Sequence, residues 1–501
     1  MVRAGITAGW VGRDLRDGFK TALRTLALAA ATLVAGCTLT DTTPINDTTE
    51  WSGGASPASL PEPGDDGTTV VALAFSGGGT RAAAFAYGAL TELDTLIIDD
   101  HPHQRSLVDD VRSVAGTSGG AVMAAYLGYK GKDGYVDFRD RFLARNAEET
   151  MRTSLSPGNV IRTTIGGGAN DRTSFGRWLD EHVFDGSTYA AFEQPDRPIV
   201  WITASDIYNN TPFVFTQDTM SALCSDLDKL KIADAVAASA AFPVAFSPVI
   251  LLTPDKGECN YRRPDWLKRA LGARDPSVRL QAYARALESY QLNDKLKYVR
   301  LLDGGLTDNL GISGMTLERA RASTPYEPLS LQEAVRIRNF LFIVTNAGVE
   351  RQYDWGASKP NPHLGKILGS VADTAISAST RHGFDAVDLA LKQWQEELIT
   401  YRCGLSRAQV LRHRGTLAGW DCRDVHVTTE HLTFRNADPK LYEALNAVPT
   451  RLKLTEKQVE LVVTAGREAV RNNANIQQIA RETYQRSRQF DRIGAARTTA
   501  N

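Results

Sequence analysis

Val70-Val-Ala-Leu-Ala-Phe75 runs directly into Ser76-Gly77-Gly78-Gly79-Thr80-Arg81. A short, unbroken apolar run that ends in a tight loop is the pattern of a strand buried on both faces of a parallel sheet. A helix through Ala82 to Leu96 follows it. Val111-Arg-Ser-Val114 then leads into Gly116-Thr117-Ser118-Gly119-Gly120 and the apolar stretch Ala121 to Tyr126, which reads as strand, sharp turn, helix. The alternation returns at Ile199 to Thr203, in the helical run Ile232 to Ala241, and at the strands Tyr298 to Leu302 and Phe340 to Thr345. Strands interleaved with helices predict an α/β fold, a central mostly parallel sheet with helices on both faces.

Outward from this frame, residues 69–350 form the expected main α/β domain, with a charged insertion near 253–297. Residues 351–501 are assigned to a C-terminal helical extension packing on that domain; within it, 350–450 carry no clear pattern. Thr455 and Gln458 make a capping box that opens a long amphipathic helix, and the chain closes in a polar tail. Residues 37–68, rich in Thr, Asp, Ser, Pro and Gly, read as a flexible tether. Residues 1–36 read as a targeting segment: a basic stretch and then an apolar run, Leu26 to Ala35, too short to span a bilayer comfortably. Val34-Ala35-Gly36-Cys37 resembles the bacterial lipobox, which implies lipidation of Cys37, anchoring to a membrane and a location in the bacterial cell envelope. An uncleaved anchor or a chance cysteine after a secretory signal is the plainer alternative.

Of 501 residues, 43% are apolar and 23% charged, an ordinary globular composition, and the net charge of −1 gives no sign of a nucleic-acid partner. Four cysteines follow Cys37. Their order suggests the pairs Cys224 with Cys259 and Cys403 with Cys422, while other pairings and four free thiols stay open. No spacing suited to metal ligands is visible, and no cofactor is expected.

Three motifs carry chemistry. Gly116 to Gly120 satisfies G-x-S-x-G, the elbow that presents a serine on a turn too tight for side chains at its ends, with Gly116 and Gly120 flanking Ser118. Gly77, Gly78 and Gly79, opening a helix, offer backbone amides to an oxyanion. Asp303-Gly304-Gly305 follows a strand read as parallel, which would bring Asp303 to the same sheet edge. The plainer readings are a phosphate-binding turn for the glycines and a simple turn for the aspartate; no G-K-[ST] continuation supports the former.

These motifs, in this order, resemble the patatin-like phospholipases. Ala238-Ser239-Ala240-Ala241-Phe242-Pro243-Val244-Ala245-Phe246-Ser247-Pro248 fits the family's A-S-x-A-x-P-x-x-F-x-P block, and Asp308-Asn309 fits its pattern after the D-G-G. The resemblance covers Val70 to Ala347. It implies a three-layer α/β/α fold and a metal-independent lipid acyl hydrolase, of phospholipase A or lysophospholipase type, acting on membrane lipid or another acyl ester. It further implies Ser118 as nucleophile, Asp303 as its base, an oxyanion hole from Gly77, Gly78, Gly79 and Gly119, and Arg81 ordering the glycine loop. Ser76 stands where many members have an acidic residue, and the insertion after Pro248 is expected to reshape the pocket mouth.

Two rival readings remain. An α/β-hydrolase triad could draw on His413, His426 or His431. A catalytically silent lipoprotein could keep the fold and bind lipid. Acyl transfer, in which another alcohol replaces water at the acyl-enzyme, is an alternative to hydrolysis. Phe242, Val244, Phe246 and the helix Ala82 to Leu90 are candidates for an acyl pocket, with core packing the plainer role for most of them.

Overall fold

The computed structural model describes residues 40–48 and 65–498, apart from 153–158, 160–162, 165, 256, 258, 275–276, 351–353, 358 and 363. Cys37 and the targeting segment lie outside the described residues, as does most of the tether. Eight strands form the main sheet: β1 (Thr69–Phe75), β2 (Val111–Thr117), β3 (Ile199–Asp206), β4 (Thr211–Val214), β5 (Val249–Leu252), β6 (Tyr298–Leu302), β7 (Asn339–Asn346) and β8 (His426–Thr433). Their order is β8-β7-β1-β2-β3-β6-β5, with β4 also paired to β3. The run from β8 to β3 is parallel throughout.

Every residue of β1 and of β2 is buried. Helices therefore cover both faces at the sheet centre, which is why these strands read as continuous apolar runs. The edge strand β8 is mostly half-exposed. Its sequence, His-Val-Thr-Thr-Glu-His-Leu-Thr, lacks that signal, so a strand of the sheet sits inside the stretch assigned to a helical extension.

The helices that frame the site are α1 (Gly79–Leu93), α2 (Gly119–Gly134), α3 (Ile232–Ser239), α4 (Asp265–Gly272), α5 (Val278–Leu292), α6 (Ser313–Arg321), α7 (Leu364–Cys403), α8 (Glu456–Arg471) and α9 (Ala474–Thr498). The expected insertion supplies α4 and α5. Thr455 and Gln458 do cap α8 reciprocally. The chain end, expected as a polar tail of a helical extension, is helical from Ala474 to Thr498, with Ile476 and Ile479 buried. Cys224–Cys259 and Cys403–Cys422 are disulfides, with Cα separations of 6.0 and 4.9 Å.

One direction differs from expectation. β6 runs antiparallel to β3, with Leu302 opposite Ser205 and Leu301 opposite Asp206. An apolar run carries no information on its direction, so periodicity could not reveal this. β4 occupies the other edge of β3 at these same positions. Consequently β2, whose Thr117 lies opposite Thr203, and β6 approach one another end to end along a single edge of β3.

Candidate active site

That end-to-end approach brings Ser118 and Asp303 together. Ser118 follows β2 and has φ 52° and ψ −121°, a conformation that a non-glycine residue holds only under constraint. The constraint comes from both sides. Ser239 Oγ, at the end of α3, accepts the Ser118 amide at 2.8 Å and donates to Thr203 O at 2.6 Å. A side chain on Gly119 would put its Cβ 2.0 Å from Gly79 O, and one on Gly120 would meet Phe75 O at 2.3 Å. Gly116, on β2, faces Gly120 O at 2.5 Å in the same sense.

Ser118 Oγ donates to Asp303 Oδ2 at 2.9 Å. The other carboxylate oxygen accepts the Gly305 amide at 2.8 Å. Three backbone bonds hold the aspartate: its N donates to Ala241 O at 2.9 Å, Gly304 N donates to Ser239 O at 2.9 Å, and Ser205 Oγ donates to Asp303 O at 2.8 Å. Burial pushes the Asp303 carboxyl up to about 6, against the lowering effect of the Gly305 amide and the Ser118 hydroxyl. No basic side chain is among the groups that set this value.

The glycine loop meets the elbow. Gly78 has φ 137°, open to glycine alone, and caps α1 with no side-chain help. No acceptor among the described residues takes the amides of Gly78, Gly79 or Gly119, so these donors are available to an oxyanion. Gly77 does not share that role. Its amide donates to Asn309 O at 2.8 Å, and a Cβ there would lie 2.6 Å from Asn309 Oδ1. Its contribution is steric, allowing Asn309 close to the loop. Arg81 is buried, with Nε donating to Ala347 O at 2.9 Å and Nη1 to Val448 O at 2.7 Å. It ties the start of α1 to the end of β7 and to the C-terminal segment.

Several supports were not legible as such. Ser239 sat inside the A-S-x-A block with no role assigned, and Ser205 inside Ile202 to Asp206. Arg451 O accepts the Thr80 amide at 2.8 Å. Ser379 and Thr380 of α7 hold Asn309 through its amide and side chain, at 3.1 and 3.0 Å. Asp308 caps α6, accepting the amides of Ile312 at 3.1 Å and Ser313 at 2.7 Å.

The late histidines do not join the site. His431 lies on β8, three strands from β2, about 14 Å at ordinary strand spacing. It stacks on Phe384 and contacts Asn346 Nδ2 at 3.1 Å, and burial lowers its pKa. His426 opens β8 at the opposite sheet edge, and His413 lies where its carbonyl accepts from Arg336. Of the acyl-pocket candidates, Ala82 to Leu90 are core. Phe246 is buried, while Val244 is exposed with φ 73°, strained for a β-branched residue.

Residues 73–315 match the family model of the patatin-like phospholipases. Among solved structures, the chain is similar to human GIVD cytosolic phospholipase A2, at 12% identity over 84% of this chain and 63% of that one, TM-score 0.37. It is also similar to VipD from Legionella pneumophila, at 10% identity over 87% of this chain and 72% of that one, TM-score 0.29. The chain thus spans less than two thirds of the human enzyme's length. No curated protein matches it.

Proposed function

With residues 73–315 forming a patatin-like phospholipase domain, we propose that the protein is a serine lipid acyl hydrolase that works through a Ser118–Asp303 dyad. The observation that carries this reading is the direct bond from Ser118 Oγ to Asp303 Oδ2, 2.9 Å long and buried. A carboxylate is a poor base in water; desolvation strengthens it, and contact removes the need for an intervening imidazole.

Ser118 Oγ attacks the ester carbonyl as its proton passes to Asp303 Oδ2. The carbonyl oxygen gains negative charge and is met by the Gly78, Gly79 and Gly119 amides. As the tetrahedral adduct collapses, the protonated Asp303 returns the proton to the departing alcohol, leaving an acyl ester on Ser118. Water then attacks that ester, gives its proton to Asp303, and the same collapse frees the fatty acid and Ser118. No step calls on a metal. Phe242 and Val244, next to Ala241 whose carbonyl holds Asp303, would flank the acyl chain. Lipidation of Cys37 would hold the enzyme at a membrane of the bacterial envelope, beside ester substrates of the phospholipase A or lysophospholipase class.

The test is fatty-acid release from mixed phospholipid vesicles with chelator present. Ser118→Ala and Asp303→Asn are expected to lose activity by at least about a thousand-fold, with His413→Ala, His426→Ala and His431→Ala unchanged. Activity lost in a histidine variant and kept in Asp303→Asn would favour a triad. No release by the unaltered protein would favour a lipid-binding role.

A further inference from the structure

α7 runs antiparallel to β8. Its Gln395 accepts the amide of Val427 at the start of that strand, its Phe384 stacks on His431 near the strand's end, and its Ser379 and Thr380 reach Asn309 beside the glycine loop. The part of α7 before Ser379 therefore projects past the site. Ile376 keeps contact, 3.5 Å from where a Cβ on Gly305 would lie. From Ile376 back to Leu364 the helix rises a further ~18 Å.

This arm has three faces. At about 100° per residue, the buried Ala372 and the half-buried Ile376 share one side, Lys366, Ser370 and Asp373 share a second, and Ile367, Leu368 and Val371 share a third. The third face is apolar and turned to solvent, with these side chains 41, 47 and 63% exposed. Lys366 and Asp373, the charged residues between Leu364 and Thr380, both lie off it. At its margin, Thr374 donates its hydroxyl to Ser370 O at 2.7 Å, as Ser370 does to Lys366 O at 2.8 Å, so the hydroxyls here are satisfied by the helix itself. A helix so partitioned, charges on one side and an open apolar stripe on another, is built to lie on an interface.

The other end of the chain indicates which interface. Residues 40–46, in the stretch read as a tether, lie along the domain: Asp41 pairs with Arg172 at 3.1 Å, Ile45 N donates to Ile250 O at 2.9 Å, and Asn46 bonds both backbone groups of Leu252, at 3.1 and 2.7 Å. They thus flank β5, which pairs with β6, the strand that leads to Asp303. Three residues separate Thr40 from Cys37, a reach of at most about 11 Å. An acyl group on Cys37 would hold the body of the protein against the bilayer that supplies its ester substrate. A second copy of the chain is a poorer occupant, since three side chains fall well short of the roughly 800 Å² per partner that a stable dimer buries.

We infer that the projecting arm of α7 docks on a lipid bilayer, burying Ile367, Leu368 and Val371 at the headgroup boundary beside the candidate site. This rests on the reading of the protein as a lipid acyl hydrolase anchored through Cys37.

The test uses the cell-processed full chain on vesicles of phosphatidylethanolamine and phosphatidylglycerol containing a nitroxide-labelled phospholipid. Leu368→Cys and Leu389→Cys each carry a fluorescent thiol label; the native cysteines beyond Cys37 are paired in disulfides, and Leu389 is exposed on the same helix about 32 Å away. Quenching at position 368 is expected to be at least about fivefold stronger than at 389, as docking to the depth of the headgroups implies. Ile367→Ser, Leu368→Ser and Val371→Ser together are expected to cut fatty-acid release from these vesicles at least about tenfold, with hydrolysis of a short soluble ester unchanged. Equal quenching at the two positions, undiminished vesicle hydrolysis in the triple variant, or a dimer that the triple variant disperses would each overturn the inference. Quenching at 368 without release of any ester would uphold docking and sink the hydrolase reading. Label taken up by the unaltered protein would reveal a free Cys37 and sink the anchor, and the same comparison in Cys37→Ser then decides the arm by itself.

Discussion

Asp303 carries opposed demands. As the proposed base it must be ionised, yet its surroundings favour the neutral acid, with a pKa of about 6 against an ordinary 3.8. The folded chain therefore binds this proton more tightly than the unfolded chain does. The resulting stabilisation is complete below pH 3.8 and is lost as pH rises through about 6. At neutral pH the buried carboxylate costs on the order of 3 kcal/mol. Asp303→Asn is accordingly expected to raise the melting temperature at pH 8 and to leave it unchanged near pH 3, while abolishing acyl release. Scanning calorimetry at the two pH values checks this, and a variant less stable at pH 8 would contradict it. In the active protein, kcat/KM should rise with pH through about 6 and then level off.

At the scale of elements, the glycine loop is only as firm as α1. That helix packs against α8 so closely that Cβ atoms on Gly88 and Gly466 would lie 2.1 Å from Val463 O and 2.2 Å from Phe85 O. Gly466→Ala must force the helices apart. A loss of about 1–3 kcal/mol is expected in chemical denaturation, from overpacking. An unchanged midpoint would show that the interface gives way freely. The same elements mark how far the sequence could be read. The buried central strands, the elbow and the cap at Thr455 were legible because each has a local cause: continuous burial, a steric need for glycine, a side chain satisfying an amide. The direction of β6, the half-exposed β8 and the hold of Ser379 and Thr380 on Asn309 were not. Each depends on which distant segment lies alongside.

For the whole molecule, the C-terminal third is part of the frame of the candidate site: it supplies β8, the cover over Asn309 and carbonyls that receive Arg81 and Thr80. The proposed attachment to a membrane rests on Cys37. Cys37→Ser is expected to shift the protein from the membrane to the soluble fraction of cells without altering release of a short soluble ester. Retention in the membrane fraction would argue against a lipid anchor at that residue. The central claim is that acyl groups pass through Ser118. Mass spectrometry of the protein quenched during turnover of a p-nitrophenyl ester, followed by peptide mapping, tests it most directly. One acyl group on the peptide containing Ser118, absent in Ser118→Ala, is the predicted result; acylation at another residue, or turnover undiminished in Ser118→Ala, would contradict it.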